Sequence, residues 1–200
     1  MVKKLISYGK REIIRFFRII LLFCFHFDKW HIGPLSVKQY AQDIIKYLNC
    51  LQENNRQSVV EIGCGVGDII RHLQFKKRFA LDADANVLRA ARFLSTVSFN
   101  GKINFQTFVF PQSKLNDKYD VIILVNWIHD IAPAVLKNKI NEYFNTNLKK
   151  KGRIIIDTVQ DKEYPYNHDI NFLSKDLNCQ ISKIGDYERG RKVFAILSND

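Results

Sequence analysis

Residues 59–73 read VVEIGCGVGDIIRHL. A β-branched run leads into three glycines at alternate positions, Gly63, Gly65 and Gly67, and an apolar run of helical spacing follows. No other stretch restricts the fold as strongly. A strand that feeds a glycine turn and then a helix opens a β-α unit, and the turn lets a ligand come close to the backbone. A helix start at that place offers free N–H groups and the positive end of a dipole. In open α/β sheets the ligand crevice lies at the carboxyl ends of the strands, where such a turn sits.

The glycine spacing selects among cofactors. A dinucleotide fingerprint requires GxGxxG. Counting from Gly63, the third glycine position holds Asp68, and counting from Gly65 it holds Ile70. A phosphate loop with Gly-Lys-Ser/Thr is absent as well. Asp68, an acid at the expected helix start, would repel a pyrophosphate. Asp82 ends the next strand, 19 residues after Gly63, and a carboxylate at about 20 residues is placed to accept from ribose hydroxyls. The expected cofactor therefore carries a ribose and lacks a pyrophosphate.

Strands and helices alternate along the rest of the chain. Ser36 with Gln39 reads as a capping box for a helix over 37–52, whose apolar residues run Val37, Tyr40, Ala41, Ile44, Ile45, Leu48 and Leu51. A strand SVVEIG, a helix over 68–75 and a strand RFALD follow. Asp84 is placed to cap the helix ANVLRAARFL. INFQTFVF and YDVIILV read as the third and fourth strands, and Pro133 as the first turn of another helix. KKKGR reads as a basic turn before the strand IIIDTV. A short helix near 170–177 precedes CQISKIG and KVFAILS, which are close enough to pair as an antiparallel hairpin. The expectation is a doubly wound, seven-stranded, mostly parallel α/β sheet with an antiparallel C-terminal hairpin over residues 36–200, preceded by a helical arm over 1–35.

The arm carries part of a formal net charge of +11. Such a charge points to an anionic partner or serves solubility alone. Lys4, Arg11, Arg15 and Arg18 fall on one helical stripe, and Ile13, Ile14, Phe16, Phe17, Ile20 and Leu21 fill most of the rest. The apolar run is far short of the roughly 20 residues a bilayer span needs, and no cleavage-site pattern follows it. Two readings stand side by side: a basic amphipathic helix lying in a membrane interface, and a helix packed on protein. The four cysteines, at 24, 50, 64 and 179, show neither CxxC nor Cys/His metal spacing, so no metal site and a reducing, cytoplasmic setting are expected.

EIGCGVG resembles the acidic-x-Gly-x-Gly-x-Gly motif of class I S-adenosylmethionine-dependent methyltransferases. ALDAD…AAR is similar to their second motif, YDVIILVNWIHDI to their fourth-strand motif, and LKKKGRIIIDTV to the turn and strand after it. The resemblance covers roughly residues 36–200 and implies a Rossmann-like methyltransferase fold with S-adenosylmethionine as cofactor. It places Glu61, Gly63, Cys64, Gly65 and Gly67 in the cofactor loop, Asp82 at the ribose, Ala83 beside the adenine, and Val125 and Asn126 near the methionine part. One departure is visible. The family often carries an acid after the third strand for the adenine amino group, whereas TFVFPQ has none. Adenine recognition then falls to backbone groups near Phe108 and Val109. Cys64 also reads as a small buried residue.

Methyl transfer depends mostly on positioning, with a base where the acceptor is a hydroxyl. His129 and Asp130, just beyond the fourth strand, are the candidate catalytic groups, and histidine suits a base near neutral pH. His129 also reads as a crevice-wall or capping residue, and Trp127 as either a cofactor flank or core. Two segments offer an acceptor site. One holds Trp30 and His31, and the other holds Asp161, Tyr164, Tyr166, His168 and Asp169. NWIH stands where base-N-methylating relatives carry Asn/Asp-Pro-Pro-aromatic. The FHFDKWHIGP lead-in is similar to small bacterial methyltransferases of surface-glycan biosynthesis. The resemblance implies O-methylation of a sugar or other small polar acceptor, carried at the inner membrane face. An RNA methyltransferase and a non-catalytic scaffold of the same fold are the rivals. The basic residues are not interleaved with exposed aromatics, which argues against nucleic acid.

Overall fold

The computed structural model describes residues 2–97 and 101–199, with side chains from residue 12 onward except Val97. Seven strands form one sheet: β1 (Ser58–Ile62), β2 (Lys77–Asp82), β3 (Asn104–Thr107), β4 (Tyr119–Leu124), β5 (Leu148–Thr158), β6 (Cys179–Asp186) and β7 (Lys192–Ser198). Their order is β3-β2-β1-β4-β5-β7-β6. The first five pair in parallel, and β7 is antiparallel to both β5 and β6. This is the expected sheet with its terminal hairpin. The helices are α1 (Val2–Phe25), α2 (Gln39–Asn49), α3 (Ala85–Val97), α4 (Pro133–Glu142) and α5 (Ile170–Ser174).

Alternating side chains of the central strands face opposite layers. Val59, Val121, Ile123 and Ile155 pack with Ala41, Ile44 and Leu48 of α2. Val60, Ile62, Ile122, Leu124, Ile154 and Ile156 pack with Leu136 and Ile140 of α4. Because β1 and β4 are covered on both faces, they are apolar along nearly their whole length. A third cluster joins the arm to α3 and the glycine turn: Leu21 and Phe27 lie buried against Val66, Val87, Ala90 and Leu94. Phe17 and Phe25 meet Phe93 of α3 at 6.4 and 6.1 Å between ring centroids.

Local chemistry corrects several sequence expectations. Ser36 and Gln39 form no capping box. A tight turn at Leu35–Val37 precedes α2, Lys38 flanks the helix without a side-chain cap, and the Gln39 amide donates to Asp43. No α-helix covers 68–75, where turns lead into a single 3-10 turn at Ile70–His72. Glu61 captures the Ile70 N–H, and Arg71 Nε donates to the Val66 and Gly67 carbonyls, so side chains take up groups a helical ladder would have used. KKKGR is not a turn. β5 runs through it, with Lys151 at φ +57° and a register shift against β4. Lys149 is held there by Asp120 and Ser58. β3 is half the expected length and α5 ends at Ser174. Asp84 does cap α3, accepting from the Asn86 N–H at 2.7 Å, and Pro133 does open α4.

Candidate active site

The glycine turn leaves the carboxyl end of β1 with Gly63, Gly65 and Gly67 at φ +72°, +54° and +77°. In this left-handed region a side chain is strained. Gly63 N–H and Cys64 N–H both donate to the Leu81 carbonyl, tying the turn to β2. Asp82 completes the tie, since its Oδ2 accepts the Gly65 N–H at 2.8 Å and its Oδ1 the Asp84 N–H at 3.0 Å. Burial pushes the Asp82 carboxyl up, while those amides partly hold it down. Ala83 beside it is exposed.

Glu61 faces inward. Its Oε2 accepts the Ile70 N–H at 2.9 Å, and burial pushes its carboxyl up to about 8. It therefore braces the turn from beneath. Cys64 is buried, and burial raises its thiol well above the usual range. Asp68 is likewise buried, but not bare. Arg18 of α1 grips it with two nitrogens, Lys38 reaches it at 2.7 Å and Arg71 at 3.4 Å. Burial alone would raise its carboxyl, but Lys38 and Arg18 outweigh that and hold it below the ordinary carboxylate range. The repulsion expected between Asp68 and a pyrophosphate therefore falls away, because three cations neutralise it.

Two rings lie directly on the glycine backbone. A Cβ at Gly63 would stand 2.2 Å from the Trp127 ring, and one at Gly65 would stand 2.6 Å from the His31 ring. Trp127 Nε1 also donates to the Ile62 carbonyl at 2.5 Å. The His31 ring accepts from Trp30 Nε1 at 3.0 Å, and burial lowers its pKa to about 4. Trp30 and His31, read from sequence as acceptor candidates, thus stand at the cofactor loop. Near Phe108 and Val109, where backbone groups are expected to meet the adenine, both of these N–H groups are paired within the chain. The Phe108 N–H donates to the Asp82 carbonyl and the Val109 N–H to Ser113 Oγ.

At the carboxyl end of β4, Val125 is buried and Asn126 exposed, the latter at φ +79°. Asp157, at the end of β5, accepts the Asn126 N–H at 2.9 Å with Oδ1. Its Oδ2 meets His129 Nε2 at 3.3 Å and takes a close hydrogen bond from Arg191. Arg191 also donates to Asn126 Oδ1 at 3.0 Å and lies over the Tyr40 ring. His129 is fully buried, and its Nδ1 has no partner among the described residues. Asp130 points to solvent, so the two catalytic candidates occupy different environments.

Residues 161–169 fold over His129. The Tyr166 N–H donates to the His129 carbonyl, the Tyr164 ring lies 4.8 Å from the imidazole, and His168 Nε2 contacts the Ile128 carbonyl at 2.9 Å. Asp161 is tied to Arg189, and Asp169 caps α5 through the Asn171 N–H. These two acids therefore serve the loop's own structure. Asp157 and Arg191 were not singled out in the sequence, and Tyr40 was read there only as part of an apolar helix face. Only Asp157 left a signal, as an acid closing a buried strand.

The residues fit an adenosyl group. An acceptor carboxylate ends β2, the glycine turn brings backbone close to it beside the Trp127 and His31 rings, and no pyrophosphate-binding sequence intervenes. No protein-family model matches the chain, and no curated protein sequence does either. Solved structures do match in fold. An S-adenosylmethionine-dependent methyltransferase from Clostridium acetobutylicum shares 16% identity at a TM-score of 0.64, over 82% of this chain and 92% of that one. The N-methyltransferase NodS of Bradyrhizobium japonicum, solved with S-adenosyl-L-homocysteine, shares 13% at 0.67, over 84% and 89%. An amino pentose methyltransferase of calicheamicin biosynthesis from Micromonospora echinaspora shares 10% at 0.62, over 88% and 94%. The chain has the Rossmann-like fold of S-adenosylmethionine-dependent methyltransferases.

Proposed function

We propose that this chain is an S-adenosylmethionine-dependent methyltransferase that O-methylates a sugar or other small polar acceptor. One observation carries the reading. The left-handed glycine turn at the end of β1 is fastened through the Gly65 N–H to Asp82 at the end of β2, in a fold that matches the methyltransferase NodS at a TM-score of 0.67. Bound S-adenosylmethionine supplies an electrophilic methyl group. Asp82 accepts from the ribose hydroxyls, Ala83 lies beside the adenine, and the turn at Gly63, Gly65 and Gly67 borders the cofactor together with the Trp127 and His31 rings. Val125 and Asn126 border the methionine part. Glu61 and Cys64 act beneath the loop, as support.

His129 is the proposed base. Asp157 orients the imidazole through Nε2, which leaves Nδ1 to take the acceptor's proton. Because residues 161–169 cover His129, the acceptor enters as that loop moves, and Tyr164 and Tyr166 line its path. Asp130 stands outside as a polar wall. In this reading residues 36–200 form the catalytic domain, and residues 1–35 dock on it and meet the inner membrane face, where glycan acceptors are carried on lipids. An amino pentose methyltransferase among the fold relatives favours a sugar acceptor. The test is methyl transfer from S-adenosylmethionine to lipid-linked and free sugars, read as S-adenosyl-L-homocysteine released. Product with a sugar, lost in His129→Gln, supports the proposal. A steeply salt-dependent product with RNA would favour the RNA rival instead.

A further inference from the structure

Helix α1 has two opposed faces. Leu21 is buried, Phe17 and Phe25 contact Phe93, and Arg18, also buried, donates to the carbonyls of His31 and Gly33 as well as to Asp68. Ile13, Phe16, Ile20 and Phe23 follow 3-4-3 spacing on the other side, one stripe of a helix. They are exposed, Ile13 by 70%, Phe16 by 65% and Phe23 by 70%, and Trp30 beyond the helix is exposed by 70%. Isolated exposed apolar residues are ordinary, whereas a contiguous stripe of this size marks an interaction surface.

The charge identifies the occupant. Besides the inward-facing Arg18, Val2–Phe25 contains Lys3, Lys4, Lys10, Arg11 and Arg15 against a single acid, Glu12. A second copy seated on this stripe would bring two strongly basic helices together. An anionic lipid surface accepts both the aromatic stripe and the cations. No helix among the described residues is long and apolar enough to cross a membrane.

We propose that α1 docks its Ile13–Phe16–Ile20–Phe23 face on an anionic membrane and that this docking tightens the cofactor loop. The coupling rests on the methyltransferase reading above. It runs through Arg18, which spans the helix, the backbone of residues 31–33 and Asp68, one residue beyond Gly67. The His31 ring on Gly65 belongs to the same segment. Arg18 is a positioning residue. A lipid surface that fixes α1 fixes the three groups Arg18 holds, and cofactor binding in return favours the docked arm, because linkage is reciprocal.

The test uses the full chain and vesicles of phosphatidylcholine with or without phosphatidylglycerol. The expected result is sedimentation with the anionic vesicles alone, and S-adenosyl-L-homocysteine binding about 5-fold or more tighter in their presence. F16D combined with F23D, at exposed positions, should abolish sedimentation and the vesicle effect while leaving vesicle-free affinity and melting temperature unchanged. Arg18→Lys should still sediment but lose the enhancement. Sedimentation with unchanged ligand affinity would overturn the coupling. A dimer in solution that F16D/F23D dissociates, without vesicle binding, would make the stripe a contact between copies and overturn the proposal. Vesicle binding by a chain that takes up no ligand in any condition would instead overturn the methyltransferase reading, and the coupling with it.

Discussion

Arg18 and Asp68, 50 residues apart, form a buried two-pronged ion pair that joins the N-terminal helix to the turn following the glycines. Buried charges are tolerated only when paired, and removing one partner strands the other. Asp68→Asn should therefore cost about 3–5 kcal/mol in urea denaturation. Arg18→Met leaves Asp68 with Lys38 and Arg71 and should cost less. The double variant should fall short of the sum by about 0.5–3 kcal/mol. Strict additivity would mean that the pair does not hold the arm.

Gly65 and His31 touch through ring and backbone. Gly65→Ala meets two penalties: left-handed φ for a residue with a Cβ, about 1–2 kcal/mol, and collision with the imidazole. His31→Ala removes the second only. The double variant should be more stable than Gly65→Ala alone, yet still below His31→Ala by about the backbone term. Strict additivity of the two single losses in the double variant would contradict the contact.

Glu61 gives the fold a pH dependence of definite sign. Its carboxyl is pushed up to about 8 by burial, while in the unfolded chain it ionises near 4.3. Between those values the unfolded state has released a proton that the folded state retains, so stability falls as pH rises from about 4.3 to 8. Glu61→Gln keeps an acceptor for the Ile70 N–H and cannot ionise. Its melting temperature should exceed that of the native chain at pH 8, with a shallower decline from pH 5 to 8. Identical pH profiles would show that Glu61 is ionised in place.

Asp157 and His129 separate a catalytic role from a packing role. If the imidazole takes the acceptor's proton, His129→Gln should lower kcat by about 10²–10⁴-fold with little change in S-adenosyl-L-homocysteine affinity. Asp157→Asn should lower kcat as well, because Asp157 orients the ring. Full turnover in a destabilised His129→Gln would leave His129 as a wall residue.

The sheet was legible because its signals are local: β-branched runs, the glycine turn, the Asp84 cap and Pro133 all act within a few residues. The place of Asp82 at the end of β2 was legible from the strand pattern. The missed features depend on distant partners. DIIRHL has helical spacing, but Glu61 and Arg71 capture the backbone groups of that stretch. KKKGR is charged and holds a glycine, yet Asp120 and Ser58 hold Lys149 within β5. Arg18 sits on a basic stripe in the sequence, and only the fold shows that it turns inward to Asp68. Arg191 lies in a hairpin loop with nothing nearby in sequence to pair it with Asp157, 34 residues away.

The central claim is that the glycine turn and Asp82 hold the adenosyl group of S-adenosylmethionine. Calorimetric titration of the full chain with S-adenosyl-L-homocysteine tests it most directly. One-site binding is expected, weakened about 10- to 100-fold in Asp82→Ala through loss of charge-assisted hydrogen bonds, with the variant still folded by circular dichroism. A native chain that binds no ligand, or an Asp82→Ala chain that binds as tightly as the native one, would contradict it.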